Sequence, residues 1–189
     1  LRLSIEESIT ETVRAAGFPV VRYRQDTRPS EYLLLVERAS ARDHVAQLFG
    51  SLGDALQQDG VHVVRYFFDR DPRVCFEEAG APGMLLLDLH RRYPNHHLLV
   101  FGAGDAMIDA VTGQLQPWVD NLFPWGQRCI LTAVPTSQWS QREVALASRF
   151  LVLPARAGAL RAACEFFRDG AKGDPRALTT DEAAREIES

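Results

Sequence analysis

The chain has 189 residues, of which 46% are hydrophobic and 24% charged, and its formal net charge is −4. Ordinary apolar content with so small a net charge excludes a disordered chain, and the acidic balance argues against a surface that coats nucleic acid. No apolar run approaches the roughly 18 residues of a membrane span, so neither nucleic acid nor membrane is expected as a partner.

No secretory leader is expected, and an opening at Leu1 instead of Met leads us to expect a piece of a longer polypeptide. Lys172 is the only lysine against twenty arginines, which fits a GC-rich, bacterial-type source and suits bidentate pairing with carboxylates. Cys75, Cys129 and Cys164 are too far apart for a zinc motif. They read as reduced thiols, Cys129 and Cys164 as buried ones, in a cytoplasmic protein.

Residues 4–16 predict a helix with a capping box, Ser4 to Glu7, and an apolar face of Ile5, Ile9 and Val13. A short strand within 18–24 and a linker follow, so that residues 1–30 form an N-terminal helix and linker. The main domain is expected over 31–169, with a polar tail at 170–189. Tyr32–Val36 is a continuous apolar run, as in a strand buried on both faces. Residues 41–58 have helical spacing through Val45, Leu48, Phe49, Leu52 and Leu56. Val61–Phe68 and Arg73–Phe76 read as strands joined by a tight Asp69–Pro72 turn, hence an antiparallel hairpin. Helix is expected over 84–93, strand over 97–101, helix over 115–122, strand over 128–134, helix over 139–148, strand over 150–153 and helix over 157–168. Alternating strands and helices predict an α/β fold. We expect a mostly parallel, Rossmann-type sheet of about six strands with one antiparallel edge strand near 73–76 and helices on both faces.

That order, with VHVVRYFF followed by RVCF and a closing FLVLPARAGALRAACEFF, resembles a von Willebrand factor A-type domain over roughly 31–169. The family's metal-ion-dependent adhesion site carries Asp-x-Ser-x-Ser after the first strand. Here the matching residues are Glu37-Arg38-Ala39-Ser40-Ala41, and the later Asp-Gly position reads Gly102-Ala103-Gly104-Asp105. The resemblance therefore implies a degenerate adhesion site with no metal and no cofactor. It also implies a protein-binding module more readily than an enzyme.

The carboxyl edge of a parallel sheet is where ligands bind. Arg38, Ser40, Arg42, Asp43, Asp69, Asp71 and Asp105 fall on the loops expected there, and their mixed charge suits a protein partner or another domain of the parent polypeptide. The alternative is a metal site. Glu37 after one strand and Asp69-x-Asp71 after another resemble the Toprim domain, which would imply Mg²⁺-dependent phosphoryl transfer. Ser40, Asp43 and His44 read first as a helix cap. Gly102-Ala103-Gly104 lacks the third glycine of a dinucleotide fingerprint and reads as a turn. Trp118, Trp125 and Trp139 are candidates either for covering the core or for binding.

Overall fold

A computed structural model describes residues 2–3, 5–15, 18–21, 23–24, 30–38, 44–58 and 61–168. Its elements in chain order are β1 (Arg2–Leu3), α1 (Ile5–Arg14), β2 (Tyr23–Arg24), β3 (Glu31–Glu37), α2 (His44–Gln58), β4 (His62–Phe68), β5 (Val74–Cys75), β6 (Met84–Leu85), α3 (Leu86–Arg92), β7 (His97–Phe101), β8 (Arg128–Thr132), α4 (Gln141–Ala147), β9 (Leu151–Pro154) and α5 (Ala157–Arg168). The central sheet has five parallel strands in the order β4-β3-β7-β8-β9.

The apolar runs sort themselves by the two-residue period of a strand. Along β3, Tyr32, Leu34 and Val36 enter one core layer, and Leu33 and Leu35 enter the other. The first layer is closed by Phe49, Leu52 and Leu56 of α2 and by Ala159, Leu160, Ala163 and Phe167 of α5. The second is closed by Leu86 and Leu89 of α3, Leu146 of α4, and Val119, Leu122 and Trp125 of an irregular segment. Helices therefore cover both faces, as a sheet apolar on both sides demands. Leu34, Leu99, Leu131 and Val152 are wholly buried, and Val64 is half-buried near the edge of the sheet.

Several boundaries differ from expectation. The strand near 73–76 does not extend the central sheet. Val74–Cys75 pairs antiparallel with Met84–Leu85 as a separate two-stranded sheet, and Phe76 alone bridges to Phe67. Met84 and Leu85 are thereby drawn out of the predicted helix. Residues 117–122 form a 3₁₀ turn, opened by Pro117 at its first position and followed closely by Pro124. The helix expected from Trp139 starts at Gln141, because Ser140 caps it in a capping box with Glu143. Val45 and Leu48 are about 40% exposed, so the buried face of α2 is the narrower stripe of Phe49, Leu52, Gly53 and Leu56. All three cysteines are buried free thiols, Cys75 included. Ser4 and the predicted tail at 170–189 lie outside the described residues.

Candidate functional site

The chain runs from β3 outward to β4 and then returns across β3 to β7. The switch point of the sheet, where an open α/β fold binds its ligands, is thus the gap between the carboxyl ends of β3 and β7. Glu37 ends β3 there. Its Oε2 accepts the backbone N–H of Ala103 at 2.9 Å. A Cβ on Gly102 would lie 2.6 Å from that oxygen, so the glycine is what lets the carboxylate sit against the loop. Gly104 turns the same loop at φ +74°, and a Cβ there would meet Leu146 at 2.9 Å. The amide that would greet an anion at this position is already held by the chain's own carboxylate.

The loop continues into Asp105, which accepts Arg142 Nη1 at 2.5 Å. Arg142 also grips Glu143 through Nε at 2.8 Å and Nη2 at 2.5 Å. Glu143 is 2% exposed, and its other oxygen accepts the backbone N–H and the hydroxyl of Ser140. Burial raises the Glu143 carboxyl, but the Ser140 N–H and the Arg142 guanidinium outweigh it, and the pKa falls below the ordinary value. This cluster is a clamp joining the exposed Asp105 of the β7 loop to the buried Glu143 of α4. Its sequence signal was the Ser140-x-x-Glu143 spacing; its reach to Asp105 had none.

On the other side of Glu37, the loop after β4 is strained. Asp71 N–H bonds the Asp69 carbonyl at 2.6 Å, which forces Arg70 into the left-handed region at φ 57°. Such a three-residue turn at a non-glycine residue is rare. Asp69 and Arg70 are both exposed. Asp71 is committed elsewhere: its carboxylate takes the Arg73 backbone N–H at 3.0 Å and Arg73 Nη2 at 2.5 Å. The hydrogen bond from Arg73 holds the Asp71 carboxyl below its usual range. Arg73 in turn lies over Trp118, 5.6 Å from the ring centroid. Asp69, Asp71, Arg73, Val74 and Phe76 line an open cleft of about 490 Å³. Arg38 begins the neighbouring loop, tied by its N–H to the Phe68 carbonyl at 2.9 Å and with its guanidinium 5.2 Å from the Phe67 ring.

Of the residues singled out in the sequence, Glu37, Arg38, Asp69, Asp71 and Asp105 thus lie on the loops at one edge of the sheet. Ser40, Arg42 and Asp43 lie outside the described residues. The metal alternative needs Glu37, Asp69 and Asp71 to converge. Among the described residues no group of three His, Cys, Asp or Glu is placed to hold a metal ion. Glu37 is turned to the β7 loop and Asp71 to Arg73. Trp125 is buried and donates to the Tyr93 carbonyl at 2.9 Å, so it belongs to the core. Trp139 is tied to the Val134 carbonyl at 3.0 Å. No helix among the described residues is long and apolar enough to cross a membrane.

Comparison of the chain with protein-family models, with curated proteins and with solved structures found no match.

Proposed function

We propose that this chain is a non-enzymatic protein-interaction module, a von Willebrand A-like domain of a larger bacterial-type polypeptide. Its contact surface is the rim of Arg38, Asp69 and Arg70 beside the Arg73–Phe76 cleft. One observation carries the reading: Glu37 occupies the switch point, with its carboxylate on the Ala103 N–H and no room left at Gly102. A small-molecule enzyme built on this sheet would keep that crevice open for substrate. Of the short antiparallel edge strand that the resemblance leads one to expect beside β4, a single bridge from Phe76 to Phe67 is present.

The rim has the composition of a polar interface anchored by arginine. Arg70 is exposed on its turn, while Arg73 is paired with Asp71 and lies over Trp118. The partner contact therefore falls chiefly on Arg38, Arg70 and the exposed edge of Val74.

The test is a photo-crosslinking residue placed at Asp69, with the crosslinked protein identified and its affinity then measured in purified form. Replacing Arg38 and Arg70 together by Glu should weaken that affinity at least tenfold with the melting temperature unchanged. Unaltered binding by a well-folded double variant would remove the rim from the contact.

A further inference from the structure

Strand β4 forms one edge of the central sheet, and its backbone groups alternate in direction. Phe68 points inward, its carbonyl accepting from Arg38. Phe67 points outward and exchanges two 2.7 Å hydrogen bonds with Phe76. By the two-residue period, Val63 and Arg65 also point outward. After Phe76 the chain turns away at Glu77–Gly80, and Val63 and Arg65 have no backbone partner beyond the edge among the described residues. The opposite edge is protected differently: β9 has four residues and ends in Pro154, which lacks an N–H.

The open stretch also carries a cation whose ion pair uses one of its five N–H donors. Arg65 lies against α2, where Gly53 makes space for it; a Cβ there would be 2.6 Å from Nη2. One bond is made, from Nη2 to Asp54 Oδ1 at 2.8 Å, and Asp54 is itself 60% exposed. Arg65 Nε is buried and has no partner among the described residues, so an incoming carboxylate would meet the outer guanidinium nitrogens. The guanidinium side chain remains about a fifth exposed. Flanking residues Val63 and Val64 are half-buried, one on each face of the strand.

We propose that the open stretch of β4 from Val63 to Arg65 is a docking edge, to which an extended segment of another protein adds as a short strand, with a carboxylate side chain meeting Arg65. Backbone pairing with Val63 and Arg65 supplies the attachment, and the charge opposite Arg65 supplies the selection. A second copy of this chain fits less well. Its own edge reads Val-His-Val-Val-Arg-Tyr over 61–66, which brings a second arginine and no carboxylate. This inference does not rest on the rim described above, since the two surfaces use different residues.

The test uses the whole chain, isotopically labelled, titrated with the acetylated and amidated hexapeptide Thr-Val-Asp-Val-Thr-Val and its Asp-to-Lys counterpart. We expect saturable shifts at millimolar peptide and slowed hydrogen exchange confined to the Val63 and Arg65 amides. The lysine peptide should bind about tenfold more weakly. Val63→Pro removes an N–H that no strand of the sheet uses, and it should abolish binding. If that variant does not fold, Arg65→Gln should erase the difference between the two peptides. Arg38→Glu with Arg70→Glu should leave this binding unchanged, which separates its failure from that of the rim. The proposal is overturned by no saturable shift, by equal binding of both peptides or by protection elsewhere. Concentration-dependent protection of Val63 and Arg65 without peptide would overturn it too, because a second copy would then be the occupant.

Discussion

Replacing Arg128 by Lys keeps the charge at the head of β8 and removes the fork that uses it. The guanidinium donates Nη1 to the carbonyls of Phe123 at 3.2 Å and Trp125 at 2.9 Å, and Nε and Nη2 to the carbonyl of Arg149 at 3.2 and 2.9 Å. Its central carbon lies 4.8 Å from the Phe123 ring centroid and 5.7 Å from that of Phe150. One side chain thus joins the irregular 117–127 segment to the loop between α4 and β9. Burial lowers the Arg128 pKa, with Arg149 adding to the effect, so the site tolerates a cation only because these carbonyls surround it. Hydrogen bonds from a charged donor contribute about 1.5–3 kcal/mol each when buried and less at a partly exposed site such as this. An ammonium reaches one or two of these carbonyls and loses the guanidinium contact with the Phe123 ring. We expect Arg128→Lys to cost about 2 kcal/mol and Arg128→Ala about 3 kcal/mol. For a chain of this size each kcal/mol lowers the melting temperature by roughly 2–4 °C. Thermal denaturation followed by circular dichroism reads both variants against wild type. A lysine variant melting within a degree of wild type would refute the argument, because the charge alone would then suffice.

The histidines give a sign for pH dependence. Burial depresses His96, with Glu31 opposing and His62 adding to the depression; burial likewise depresses His97. The unfolded chain therefore binds protons more readily than the folded one, and stability present above pH about 6.5 is lost as the pH falls through that value. Urea midpoints should fall between pH 7.5 and 5.5, and His96→Gln should flatten part of that slope; a midpoint rising on acidification would show the sign to be wrong. Gly102→Ala forces the Glu37 carboxylate off the Ala103 N–H and should cost about 1–3 kcal/mol, whereas with Glu37 also replaced by Ala the cost should fall, leaving only the 3.1 Å approach to the Cβ of residue 37. Equal cost in both backgrounds would mean that the clash is not with Glu37. Millimolar Mg²⁺ or Mn²⁺ should leave the melting temperature unchanged, since ligand at 100 times its dissociation constant would add about 2.7 kcal/mol. A rise of several degrees, abolished by Glu37→Ala, would return the metal reading to favour.

Local pattern was enough for the layers of this fold. Tyr32–Val36, His97–Phe101 and Leu151–Leu153 are strands because continuous apolar runs of that length must be buried on both faces. The helix at Ala157–Arg168 follows from Ala159, Leu160, Ala163, Cys164 and Phe167 falling on one stripe. Glu37, Arg38, Asp69, Asp71 and Asp105 were legible as edge residues, because each follows an apolar strand or lies in the loop after it. Their partners were not legible. Whether Asp71 faces a metal or Arg73, and whether Glu37 lines a crevice or closes it, depends on which loops the strand order makes neighbours. The same limit misplaced residues 73–76: their composition is that of a strand, but a strand needs a mate. Tertiary structure supplied Met84–Leu85 for that role and left the edge of β4 mostly open, because the side-chain spacing within one short segment does not say which of two nearby segments its backbone will pair with.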